Sequence, residues 1–157
     1  DTFSPVDTRA AVSSALAMME PNLKLRDITI TRTLPEDPVM ILGDRMRLEQ
    51  VIINLLRNAL DATKGIREPA IEIILATGDY VSLTVRDNGQ GIEDLDELFE
   101  PFYTTKQPGD GVGLGLAISS GIVNDLGGRL TARNASSGGA VFEVQLPILI
   151  AEAEAAE

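Results

Sequence analysis

Between Arg45 and Thr63 the apolar residues recur with the period of a helix. Counted from Leu48 at about 100° per residue, Leu48, Val51, Ile52, Leu55, Leu56 and Ala59 share one broad face, and Arg47, Asn54, Arg57, Asn58 and Asp61 take the other. Asp44 stands where its carboxylate can cap the first turn. A helix with so wide an apolar face needs a surface to cover it. The next two runs, Ala70 to Thr77 and Tyr80 to Arg86, alternate as strands do and are separated by the turn pair Gly78-Asp79, which predicts an antiparallel pair.

The flanking segments extend the pattern. Residues 6 to 19 carry a looser helical periodicity, expected to stop before Pro21, and Ile28 to Thr31 alternate as a strand. Val39 to Leu42 form a short apolar run. Leu114 to Leu126 read as another amphipathic helix halted at Gly127-Gly128, and two strands, Arg129 to Asn134 and Ala140 to Leu146, complete the core. Helices and strands mixed with hairpins, rather than strictly alternating, predict an α+β fold: a two-layer α/β sandwich of helices on a mixed, largely antiparallel sheet. Residues 1–150 are expected to form one domain, and 151–157 an acidic, disordered tail with nothing to bury.

The chain has 157 residues, a net charge of −11, no cysteine and no histidine. The charge argues against nucleic acid or an anionic membrane surface as a partner. No run approaches the roughly 20 apolar residues of a membrane span, and Asp1 to Pro5 lack the basic-then-apolar start of a secretory signal. Absence of histidine removes Ser/His catalysis, histidine metal sites and any histidine phosphoacceptor within the chain. Carboxylates, amides, cations and backbone must carry whatever chemistry there is.

Three features offer such chemistry. On the long helix Asn54 and Asn58 lie four apart and stack in line, with Asn58 at the boundary of the apolar face; an amide oxygen is a hard, neutral ligand suited to magnesium. Asp87-Asn88-Gly89-Gln90-Gly91-Ile92 follows a strand directly, and its two glycines allow a sharp turn close to a flat ligand while the carboxylate can accept from an exocyclic amine. Lys106 to Leu116 carry Gly111, Gly113 and Gly115 into a helix start, where free amides favour phosphate and the glycines suit a lid. Each alone also fits a plainer description, as surface asparagines, an ordinary turn and a flexible connector. Phe99 to Tyr103 gather aromatic residues at the hinge of that glycine-rich stretch.

In order and spacing, Asn54-Leu55-Leu56-Arg57-Asn58-Ala59, Asp87-Asn88-Gly89-Gln90-Gly91, Phe99-Glu100-Pro101-Phe102-Tyr103-Thr104-Thr105-Lys106 and Gly111-Val112-Gly113-Leu114-Gly115-Leu116 resemble the N, first glycine, F and second glycine boxes of sensor histidine kinases. The likeness runs from Phe3-Ser4-Pro5-Val6-Asp7 to Phe142-Glu143-Val144-Gln145-Leu146-Pro147. The Phe-Tyr-Thr-Thr-Lys of the F box is similar to the nitrogen-regulatory and dicarboxylate-sensing branch.

This resemblance implies the Bergerat ATP-binding fold, with ATP and Mg²⁺ as cofactors. It makes Asn58 the magnesium ligand, Asp87 the reader of adenine, and Gly89 and Gly91 the turn beneath the base. Asn54 would assist near the phosphates, and Lys106 with the amides of Gly111, Gly113 and Gly115 would hold the triphosphate. Asp61, Ile92, Leu114 and Leu116 complete the implied nucleotide set, with Arg57 and Lys64 as cationic neighbours. Asn54, Asn58 and Lys106 would carry catalysis. Where the related ATPases place a water-activating glutamate, this chain has Asn54, which cannot act as a general base. Where a threonine often helps bind adenine, it has Val141.

The activity so implied is transfer of the γ-phosphoryl group to a histidine on a dimerisation domain of the same protein, a cytoplasmic homodimer that would then serve a response regulator. A serine kinase of the anti-sigma type, a nucleotide-dependent binding module and a gyrase-like ATPase stand as alternatives. The long F box and the entry at Phe3 to Asp7 oppose the first, and Asn54 opposes the last.

Overall fold

A computed structural model describes residues 3–101 and 115–150. The elements follow in order: β1 (Ser4–Asp7), α1 (Thr8–Leu25), β2 (Thr29–Thr33), β3 (Met40–Gly43), α2 (Arg45–Ala62), β4 (Ala70–Thr77), β5 (Tyr80–Asp87), a single 3₁₀ turn (Leu95–Glu97), α3 (Gly115–Asp125), β6 (Arg129–Asn134) and β7 (Ala140–Pro147). Five strands form one sheet in the order β2-β4-β5-β7-β6, while β1 and β3 pair separately. Only β2 and β4 run parallel within the main sheet; the other neighbours are antiparallel. The expected mixed, largely antiparallel sheet under a layer of helices is therefore the observed one.

The period-2 pattern of the strands decides which face is dry. Ile71, Ile73 and Leu75 of β4, Val81, Leu83 and Val85 of β5 and Phe142, Val144 and Leu146 of β7 are buried, whereas Glu72, Ser82, Thr84 and Glu143 lie on the wetter face, where Ser82 Oγ donates to Glu143 Oε2 at 2.7 Å. Helix α2 packs between α1 and α3 and against β5. Its Leu48, Val51, Ile52, Leu55 and Leu56 are wholly buried. Each such side chain contributes roughly 1.5–3 kcal/mol by leaving water, and truncating Leu55 or Leu56 to alanine would cost about 2–5 kcal/mol.

The start of α2 is set by Asp44, whose carboxylate accepts from Met46 N at 3.0 Å and Arg47 N at 3.4 Å. Loss of such a cap costs about 1 kcal/mol. Two expectations for the N-terminal segment need correction. Val6 and Asp7 belong to a strand, and Asp7 caps α1 by accepting from Arg9 N at 3.1 Å. Helix α1 also continues through Pro21 instead of stopping before it. The lost hydrogen bond and ring clash disfavour a helix interior by about 3 kcal/mol, but Leu23, only 4% exposed, extends the apolar face made by Leu16 and Met19. Burial beyond the proline overrides local propensity. The residues 151–157 lie outside the described part of the chain, so the expectation for the tail stays as stated.

Candidate functional site

Helix α2 is the strut along which the site is assembled. Its middle carries Asn54, half-buried, whose Nδ2 donates to Gly115 O at 3.3 Å and to Ser119 Oγ at 3.0 Å. Ser119 is wholly buried. Asn54 thus ties α2 to the first turn of α3. One turn on, Asn58 is half-buried and forms no side-chain hydrogen bond among the described residues, leaving its amide oxygen available. Asp61, a further turn towards the C-terminus, pairs with Lys64 at 3.9 Å.

The end of α2 receives the turn after β5. Gln90 N donates to Ala62 O at 3.1 Å, and Gly89 packs so closely that an added Cβ would lie 2.3 Å from Ala62 O. Gly91 has φ +84, a left-handed conformation that other residues rarely take. Glycine at these two places is a steric requirement of the turn, as the Asp-x-Gly-x-Gly spacing suggests. Asn88 secures the near side: its Oδ1 accepts from Ala70 N at 2.9 Å and its Nδ2 donates to Glu68 O at 3.0 Å. Ile92, half-buried, packs against the core.

At the head of this turn stands Asp87, 3% exposed. Its Oδ1 accepts from Gly89 N at 2.8 Å and Ala140 N at 3.4 Å. Its Oδ2 is buried with no hydrogen-bond partner among the described residues. Burial pushes the carboxyl above the usual aspartate range, an effect partly opposed by the amides of Gly89 and Ala140. A buried acceptor left unpaired is costly, and it stands ready to receive an N–H or amine donor from a ligand.

The structure thus brings Asn54, Gly115 and Leu116 together on the α2–α3 side, with Leu116 half-buried against the core, and joins Asp87, Gly89, Gly91 and Ile92 to the C-terminal end of α2. Lys106, Gly111, Gly113 and Leu114 lie outside the described residues. Val141 is buried in β7 opposite Arg86; its neighbour Ala140, through a backbone amide, is what reaches Asp87. Ala62, Ser119, Asn134 and Ala140 were not legible as site residues in the sequence, and Asn88, though inside the Asp87 to Ile92 motif, carried no role of its own. Their partners lie far off along the chain or involve backbone atoms, and only the Gly138-Gly139 pair between two strands hinted at a close approach.

A family model described as the histidine kinase-, DNA gyrase B- and HSP90-like ATPase matches residues 43–150, well over half of the chain. The chain belongs to this ATPase family. Within it, the relatives are sensor kinases. The two-component sensor PprA of Pseudomonas aeruginosa is 43% identical over 161 aligned positions, covering 96% of this chain but 17% of that protein. The C4-dicarboxylate transport sensor protein DctB of Rhizobium meliloti is 43% identical over 146 positions, covering 90% of this chain and 23% of DctB. The chain therefore spans about a fifth of the length of such relatives.

Among solved structures, the catalytic domain of histidine kinase ThkA superposes with a TM-score of 0.82 at 28% identity, covering 94% of this chain and 96% of that one. ThkA in complex with the response regulator protein TrrA matches with a TM-score of 0.79 at 28% identity, covering 94% and 42%. This member of the ATPase family corresponds to the catalytic domain of a sensor histidine kinase, and the sequence-level resemblance holds. Among the described residues no helix is long and apolar enough to cross a membrane.

Proposed function

We propose that this domain binds Mg²⁺-ATP and donates the γ-phosphoryl group to a histidine on the dimerisation domain of its parent sensor kinase. The observation that carries the reading is the buried, unpartnered Oδ2 of Asp87 above a turn held tight against Ala62. The 6-amino group of adenine is a donor of the right kind, and Asp87 as carboxylate would accept from it. Gly89 and Gly91 keep the backbone low enough for a flat base to lie over the turn. Asn58 would offer its amide oxygen to magnesium. Magnesium keeps several waters and takes further ligands from substrate phosphates, so one side-chain amide oxygen is a sufficient share from the protein. Bound magnesium would neutralise charge on the triphosphate.

By the family resemblance Lys106 and the amides of Gly111, Gly113 and Gly115 would hold the triphosphate, with Leu114 and Leu116 in the same nucleotide set. Asn54, holding the first turn of α3, is placed to fix the end of that segment. An amide cannot deprotonate water, so the site favours positioning for transfer over hydrolysis. With no histidine of its own, the chain must meet its acceptor on another domain. A homodimeric, cytoplasmic parent and a downstream response regulator follow from the same reading, supported by the sensor-kinase relatives and by the complex that ThkA forms.

Base selectivity tests it. Guanine presents a carbonyl where adenine presents the amine, so Asp87 would face an acceptor and reject it. Calorimetric titration should show ADP binding at least about tenfold more tightly than GDP, since an unmade charged hydrogen bond is worth about 1.4 kcal/mol or more. Equal affinities would refute the assignment of Asp87 to adenine.

A further inference from the structure

We infer that Asn134, at the end of β6, is a positioning residue for nucleotide selectivity, because it clamps the far end of the turn that Asp87 begins. The inference rests on the adenine reading given above. Asn134 Oδ1 accepts from Ile92 N at 2.7 Å and its Nδ2 donates to Ile92 O at 3.0 Å. Both backbone groups of one residue are thereby held by a single side-chain amide, as a neighbouring strand would hold them. The positive φ of Gly91 turns the chain onto this clamp, and a Cβ there would stand 3.0 Å from Asn134 Oδ1.

The β6–β7 hairpin end secures both limits of the turn. Asn134 and Ala140 are register partners. Ala140 N donates to Asp87 Oδ1, while Asn134 takes Ile92, five residues further along. Ala135 N donates to Gly139 O at 2.9 Å and closes the hairpin loop. Gly139 packs so near that an added Cβ would fall 1.9 Å from Asp87 O. The tip therefore cannot slide without moving Asp87 and Ile92 together. Fixing both ends holds the unpartnered Oδ2 of Asp87 in one place, so an amine there meets its acceptor without further ordering, while the turn cannot shift to relieve a base that offers a carbonyl instead. Asn134 is exposed and pairs with no charged group in either bond; its two hydrogen bonds are accounted for by the turn alone.

The test compares this chain with its Asn134→Ala and Asn134→Asp variants. ADP and GDP affinities are measured by calorimetry, and exchange of the Ile92 amide by NMR. Asn134→Ala should lower ADP affinity by about 5- to 150-fold, the range for two lost hydrogen bonds, and shrink the ADP-over-GDP preference. Ile92 exchange should quicken while amides of β5 and β7 keep their protection. Asn134→Asp, which retains the acceptor for Ile92 N, should fall between the two. A variant that only unfolds more often scales both affinities by the same folded fraction and leaves the preference intact. An unchanged preference in both variants, beside faster Ile92 exchange, would overturn the inference. Failure of the unmodified chain to prefer ADP would instead overturn the adenine reading, and this inference with it.

Discussion

Replacing Asp87 with asparagine should move nucleotide affinity and the stability of the free domain in opposite directions. Oδ1 is already fixed by the amides of Gly89 and Ala140, so the carbonyl of an asparagine takes that place and its NH₂ group falls where the unpartnered Oδ2 now lies. Adenine's amine would then meet a donor. A hydrogen bond to a charged acceptor is worth about 1.5–3 kcal/mol, which converts to roughly 10- to 150-fold in affinity. The free domain behaves otherwise. Burial raises the carboxyl's pKa, so ionising the buried side chain weighs against the folded state, a burden that builds as pH rises from the ordinary aspartate range through the raised value. Substitution removes a buried charge that lacks a full set of partners. The melting temperature without ligand should hold or rise. ADP titration by calorimetry, paired with thermal unfolding of the free protein, reads both. An affinity within twofold of the original would remove Asp87 from the adenine site, and a melting temperature several degrees lower would show that its buried carboxylate stabilises the free domain.

Three further outcomes follow from the same geometry. ADP affinity should weaken as pH falls through the raised pKa of Asp87, because Oδ1 is held by two amides and a proton on Oδ2 would turn a donor towards the adenine amine; the Asp87→Asn variant should show no such pH dependence, and calorimetry across a pH series checks both. Gly89→Ala should cost about 1–3 kcal/mol through collision with Ala62 O, lowering the melting temperature by roughly 2–12 °C in a domain of this size, and should weaken ADP binding. Unchanged unfolding would show that the turn can move away freely. Asn58→Ala should leave stability within about 0.5 kcal/mol yet abolish the strengthening of ATP binding by magnesium. Undiminished magnesium dependence would remove Asn58 from the proposed metal site.

Much of the architecture was legible because local and tertiary preferences agree. The apolar face of α2, its Asp44 cap and the Gly78-Asp79 hairpin each point to one answer, and the structure shows all three. Where they conflict, reading failed: Pro21 argued for a helix end, but Leu23 is buried beyond it. Strand β1 was hidden because four residues carry no period and pair with β3, more than thirty residues away. The site divides likewise. Asp87, Gly89 and Gly91 announce themselves through a spacing that only a tight turn requires. Asn134 and Ala140 do not, since an asparagine at a strand end and an alanine amide acquire meaning only once β6 and β7 fold back beside Asp87.

Phosphoryl transfer, beyond nucleotide binding, is the activity proposed for this domain. The domain should be incubated with magnesium and ATP labelled at the γ-phosphate, alone and with the histidine-bearing dimerisation domain of its parent. Label should appear on the added domain alone, in the acid-labile, base-stable form of phosphohistidine, and none should appear on this histidine-free chain. Label on this chain by itself, or steady release of phosphate with no label on the added domain, would show that the domain is not a kinase for an external histidine.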